Sequence, residues 1–160
     1  MTYEPQRGDY GVVRTNGVIG FLIQLGTITQ YNHAFIYVGD GKIIEATPRY
    51  GVIASDVTKY KNIVWNRHEP KTDAQRDALV KAASARLGHR YSFLAIAAIA
   101  LQIFHIARPK WMTDRLEKSG NDICSQLVAQ DYRACGFNVE GTKPDFYTTP
   151  SNLVYRLLYI

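Results

Sequence analysis

Only two cysteines, Cys124 and Cys135, occur in 160 residues, which excludes the disulfide framework that staples many small secreted domains. They stand eleven positions apart in a stretch that reads as one helix. At ~1.5 Å rise per residue their Cα atoms would lie about 16 Å apart, beyond disulfide reach. Both thiols are therefore expected to be free, which suits a reducing compartment or a catalytic role. Long apolar runs are also missing. The longest, FLAIAAIALQIFHIA from Phe93 to Ala107, is interrupted by Gln102 and His105 and falls short of the ~20 residues a spanning helix needs. It reads as a buried or interfacial helix. The opening MTYEPQRGDYG has no apolar signal core, so the expected location is the cytoplasm as synthesised, or delivery by lysis or within a phage particle.

Metal-ligand spacing is absent too. His68, His89 and His105 have no cysteine or carboxylate partner at ligand distance in sequence, and neither a metal site nor a cofactor is expected. Nineteen Lys and Arg against 14 Asp and Glu give a formal charge of +5, which favours anionic surroundings: nucleic acid, anionic lipid or an acidic cell-wall polymer. The basic residues Arg86, Arg90, Arg108, Lys110, Arg115 and Lys118 are scattered rather than set in a nucleic-acid motif, so specific nucleic-acid binding is not expected. There is no internal repeat and no low-complexity linker. Arg7-Gly8-Asp9 has the letters of a cell-adhesion triplet, but Gly-Asp before a β-branched run is ordinary turn chemistry.

What is present is a chain able to bury one core. With 46% hydrophobic residues and 11 tyrosines, residues 1–160 read as a single globular domain. GDYGVVR at 8–14 predicts a first short strand, and GVIGFLIQLGT at 17–27 is either a short helix or a buried strand. HAFIYVG and KIIEAT alternate around Asp40-Gly41, a strong two-residue hairpin signal. GVIASDV and NIVWNRH add two strands, for an antiparallel sheet of about five. The second half is helical. Thr72 caps a helix with apolar residues at 79, 80, 83 and 87 that stops at Gly88. SFLAIAAIALQIFHIA is a second helix, ended by Pro109. A short piece covers 112–118, and DICSQLVAQDYRAC is capped by Asn121 or Asp122 and stopped by Gly136. A last helix occupies 151–158. The fold class is α+β.

Two places in this frame carry chemistry. Cys124 sits in the first turn of its helix, where the positive end of the helix dipole and free backbone N–H groups favour thiolate and can hold an oxyanion. A lone cysteine is otherwise a small buried hydrophobe, which is how Cys135 reads. His33 opens one hairpin strand, and Glu45 lies twelve positions on, across the turn. With the turn at 40 and 41, residues 33 and 48 would stand opposite, leaving Glu45 offset by about three positions along the ladder. The alternatives are a strand-end histidine and a solvent-facing carboxylate.

HAFIYVGDGKIIEA resembles the His-containing hairpin of NlpC-type cysteine peptidases, whose base histidine is followed twelve residues later by a polar third catalytic member. In that family the cysteine helix precedes the hairpin, whereas here ICSQLV follows it. The order therefore resembles the circularly permuted papain-like branch, with YiiX-like and lecithin:retinol acyltransferase-like proteins. Gly8-Asp9, His33, the Gly88 to Tyr91 segment and Cys124-Ser125 match its pattern across residues 7 to 136. The resemblance implies a thiol protease or amidase with a Cys124, His33, Glu45 triad, with Tyr91 near the nucleophile and Ser125 supporting nucleophile and oxyanion. The implied reaction is hydrolysis of a peptide bond in bacterial peptidoglycan, that is, cell-wall degradation. Two rivals stay open. The same triad could act on an acyl-lipid substrate, with 93–107 as pocket wall or peripheral membrane contact. Alternatively the chain is a structural subunit of a phage tail, lysis or envelope-penetrating assembly.

Overall fold

The computed structural model of the chain describes residues 3–16, 30–66, 71–118, 123–137, 148–150 and 152–154. Its α+β character follows the sequence pattern. The strands are β1 (Tyr10–Val13), β2 (His33–Gly39), β3 (Lys42–Thr47), β4 (Gly51–Asp56) and β5 (Val64–Trp65). They form one sheet in the order β4-β3-β2-β1-β5, antiparallel at every pairing. The strand expected over 17–27 or its helical alternative lies outside the described residues. So does most of the helix expected at 151–158, of which Asn152–Val154 are helical with Leu153 and Val154 in the core.

The β2–β3 hairpin turns through Asp40 at φ 50° and Gly41 at φ 70°. Both lie in the left-handed region, as a type I′ turn requires and as Asp-Gly predicts. Its register departs from the simple count. A β-bulge between Tyr37 and Gly39 inserts Val38 as an extra residue, so that Phe35 stands opposite Glu45 and Ile36 opposite Ile44. An unbulged ladder would have put Glu45 opposite Ile36. Because side chains alternate faces with period two, this single insertion moves Glu45 from the face of Ile36 to the face of His33 and Phe35.

The two faces are buried differently. Tyr10, Val12, Ala34, Ile36, Ile44, Ala46 and Val52 form a core with the helices. These are α1 (Asp73–Ala85), α2 (Phe93–Ile103), α3 (Lys110–Lys118) and α4 (Cys124–Ala134). The helices contribute Leu79 and Ala83 of α1 and Leu127, Val128, Ala129 and Tyr132 of α4, among others. On the opposite face Val13, Phe35 and Ile43 pack with Tyr37, Val57, Tyr60, Ile63 and Trp65. Phe35 stacks on Tyr60 at 5.2 Å between ring centroids and meets Trp65 edge-on at 5.7 Å. Gly11 makes room for this: a Cβ there would lie 2.6 Å from the Phe35 ring and 2.7 Å from Ile63.

Thr72 caps α1 as expected, accepting from the Gln75 N–H while Gln75 returns to the Thr72 N–H. The helix ends at Ala85, before Leu87, which is consequently exposed rather than in the core. Helix α2 likewise stops at Ile103, short of the expected 107, and the chain turns through His105 at φ 53°. No helix among the described residues is long and apolar enough to cross a membrane. Gly8-Asp9 forms the expected tight turn, but Asp9 is buried. Its carboxylate accepts from Tyr3, Lys71 and Arg76 and from the Gln6 N–H. A side chain so engaged ties the N-terminal segment to α1 and is not an adhesion ligand.

Candidate functional site

The hairpin and α4 meet where β2 begins. Helix α4 packs on β2 and β3, and its first residue, Cys124, reaches the level of His33 and Ala34 at the strand start. Asn121 and Asp122, expected as caps, lie outside the described residues, and the N-cap position falls to Ile123. An isoleucine side chain cannot accept a hydrogen bond. Gln126 reaches back to the Ile123 N–H at 3.3 Å, while the Ser125 N–H, together with that of Ala34 on β2, points at the Cys124 sulfur. One first-turn donor that a Ser or Asp cap could engage, the Ser125 N–H, is thus directed at a thiol.

Glu45 occupies the centre of the arrangement. It is fully buried, with His33 8% and Cys124 2% exposed. A carboxylate removed from water must have its oxygens satisfied, and this one has four side-chain donors. His33 Nε2 lies 2.7 Å from Oε2, the Tyr60 hydroxyl donates to the same oxygen at 2.6 Å, and Lys59 Nζ donates to Oε1 at 2.7 Å. The fourth donor is the Ser55 hydroxyl. The sheet register explains two of these. Glu45 faces Phe35 on one side and Ile53 on the other, so His33 and Ser55 are its diagonal neighbours on the same face, within side-chain reach.

With Nε2 engaged by Glu45, the other ring nitrogen of His33 is left for Cys124, to which the ring is hydrogen-bonded. Burial works against charge on the imidazole, but the Cys124 charge and hydrogen bond, followed by those of Glu45, overcome it and raise the His33 pKa to about 9. Burial likewise opposes a thiolate. The neighbouring imidazolium and the N–H groups of Ala34 and Ser125 outweigh it, and the Cys124 pKa falls. Glu45 follows the same logic: burial pushes it up, while His33, Lys59 and Ser55 bring it well below the carboxylate range. The outcome is a line of alternating charge, Lys59 positive, Glu45 negative, His33 positive and Cys124 negative.

Tyr91 is buried and close enough to feel the Cys124 charge. Its pKa is pushed up by burial and then by that charge, so its hydroxyl stays protonated. The Ser125 hydroxyl is committed elsewhere, donating to the Thr148 carbonyl at 2.6 Å; it is the Ser125 backbone N–H that reaches the sulfur. Cys135, expected in the core, is half-buried against it at the end of α4. Burial and Asp131 raise its pKa. His68 lies outside the described residues.

Sequence reasoning brought together Cys124, His33, Glu45 and Tyr91 but missed Lys59, Tyr60 and Ser55. The signal for Ser55 was its alternation in β4. Lys59 ends a short 3-10 turn, Val57–Lys59, and Tyr60 follows it; the path of this turn back over the sheet has no sequence marker.

No protein-family model matches the chain, and no curated protein matches its sequence. Among solved structures it is similar to the crystal structure of the metalloprotein yiiX from Escherichia coli O157:H7. The TM-score is 0.64 and the identity 21%, over 86% of this chain and 71% of that one. At that identity the likeness is one of fold. Among the described residues of this chain, no three or more His, Cys, Asp or Glu side chains form a group that could hold a metal ion. Glu45, His33 and Cys124 are strung in a line, one partner on each side of the imidazole, and do not converge on a point.

Proposed function

We propose that the chain is a cysteine hydrolase of the circularly permuted papain-like kind, cleaving an amide bond. The observation that carries this reading is the buried, continuous run of contacts from Glu45 through His33 to Cys124, with both ends of the run favouring the ionised form. Cys124 thiolate attacks the substrate carbonyl carbon, and the carbonyl oxygen takes up the negative charge. Backbone N–H groups at the start of α4 receive that oxyanion, with the protonated Tyr91 hydroxyl as a further donor. His33 imidazolium gives its proton to the leaving amine, then accepts one from the water that releases the acyl group from Cys124. Glu45 holds the ring in orientation and balances its charge, and is itself held by Lys59, Tyr60 and Ser55.

The substrate favoured by the resemblance is a peptide of bacterial peptidoglycan, and the formal charge of +5 suits an anionic wall. A lipid reading has one observation in its favour. Phe104, Ile106 and Trp111 are 72%, 55% and 59% exposed around the α2–α3 connection, with Arg108 and Lys110 between them. Such a tip suits the headgroup boundary of an anionic bilayer.

One assay separates these. Wild type and Cys124→Ala are incubated with purified peptidoglycan fragments and with acyl-lipid vesicles, and products are followed by mass spectrometry. Cys124-dependent release from the fragments supports the peptidase, and acyl transfer or deacylation supports the lipid reading. No Cys124-dependent product from either would favour a structural role in a phage or envelope assembly.

A further inference from the structure

A cavity of about 620 Å³ opens beside Tyr60. Its walls include Arg14, Thr15, Lys59, Tyr60, Lys61 and Asn62, and among the described residues no Asp or Glu lines it. Its place follows from the sheet. Arg14 continues β1 just past Val13, whose partner on β2 is His33. The Tyr60 ring lies 5.5 Å from the His33 ring, centroid to centroid, so one side chain separates the cavity from the imidazole.

The cationic groups of this cavity are not equivalent. Lys59 is neutralised by Glu45 at 2.7 Å. Arg14 and Lys61 are exposed, and among the described residues neither takes part in an ion pair. Two uncompensated cations beside hydroxyl and amide side chains, with no carboxylate among the described residues of the lining, make a receptor for an anionic oxygen group. We infer that this cavity is a substrate subsite that binds a carboxylate or phosphate of the molecule whose carbonyl Cys124 attacks. The inference rests on the hydrolase reading for the word substrate, but the anion site itself does not need turnover. It assigns Arg14 and Lys61 the role of selecting substrates by charge, one side chain away from the reacting atoms.

The test uses binding first. The full chain and an Arg14→Ala/Lys61→Ala variant are titrated with N-acetylglycine and with glycerol 3-phosphate, and with N-acetylglycinamide and glycerol as uncharged counterparts, by NMR shift changes. Both substituted side chains are exposed, and circular dichroism checks that the variant is folded. The expected result is saturable, salt-sensitive binding of at least one anion, weakened at least about tenfold in the variant, with no matching response to the uncharged molecules. The tighter of the two anions distinguishes a peptide carboxylate from a phosphate headgroup as the source. Equal responses to charged and uncharged probes, no saturable response to either anion, or unchanged affinity in the variant would each overturn the inference. Repeating the titration with Cys124→Ala keeps the two readings apart. Anion binding without any Cys124-dependent turnover would retain the anion site and remove the hydrolase. Turnover without an anion preference would do the reverse.

Discussion

Replacing Glu45 by glutamine keeps the shape of the side chain and removes the negative charge between two cations. In the native protein the His33 pKa rises from 6.5 to about 9, which corresponds to about 3 kcal/mol in favour of imidazolium at ~1.4 kcal/mol per pH unit. That is a net value, with burial opposing it and Cys124, then Glu45, supplying the gain. If the carboxylate accounts for about 1.5–3 kcal/mol, as a hydrogen bond to a charged group does, Glu45→Gln lowers the His33 pKa by about one to two pH units. With less imidazolium beside it, Cys124 holds its proton to higher pH, so the window in which the thiolate–imidazolium pair exists narrows from both sides. The amide also brings two N–H donors into a site that already supplies four. Breaking a buried charged pair costs about 3–5 kcal/mol, and the half-exposed Lys59 can swing to water, which points to the lower end. At ~2–4 °C per kcal/mol for a chain of this size, the melting temperature falls by roughly 10 °C. The assay is the ultraviolet absorbance of thiolate against pH, taken as the difference from Cys124→Ala in each background. Superimposable titration curves with and without Glu45→Gln would refute the account of the charge line.

Stability should also depend on pH, chiefly at the acid end. Glu45 titrates lower in the folded chain than its usual 4.5, so its contribution is present above that value and is lost as pH falls below it. His33 titrates higher, so its contribution is complete below 6.5 and is lost as pH rises through about 9, while Cys124, whose pKa falls on folding, gains over the same range; urea midpoints should therefore decline at the acid end and change little at the alkaline end. Alkylation followed by mass spectrometry should label Cys124 at lower pH than Cys135, whose pKa is raised, and the reverse order would contradict an activated thiol. Tyr60→Phe deletes one donor to Glu45 and, on the proposed hydrolase reading, should lower turnover with a stability loss of about 1.5–3 kcal/mol, read by kinetics and urea unfolding together. Gly11→Ala drives a methyl against Phe35 and through it against the stacked Tyr60. A loss of about 1–3 kcal/mol is expected, with recovery in a Gly11→Ala/Phe35→Leu double variant, and absence of that recovery would locate the strain elsewhere.

The local elements of this protein were legible in its sequence because each rests on short-range rules. Asp40-Gly41 demands a hairpin turn, the Thr72 and Gln75 pair demands a helix start, and alternation marks β2 and β3. The same rules placed a histidine and a glutamate on adjacent strands and a cysteine at a helix start. They could not place the glutamate on the right face. That depended on Val38, one extra residue with no distinctive side chain, because a period-two pattern changes face with every insertion and nothing in the alternation announces a bulge. Nor could they bring Lys59 and Tyr60 to Glu45, or cap α4 with Ile123. The folded chain alone brings Cys124 to His33 across ninety residues of sequence, because packing of α4 on β2 sets that distance and local propensity does not.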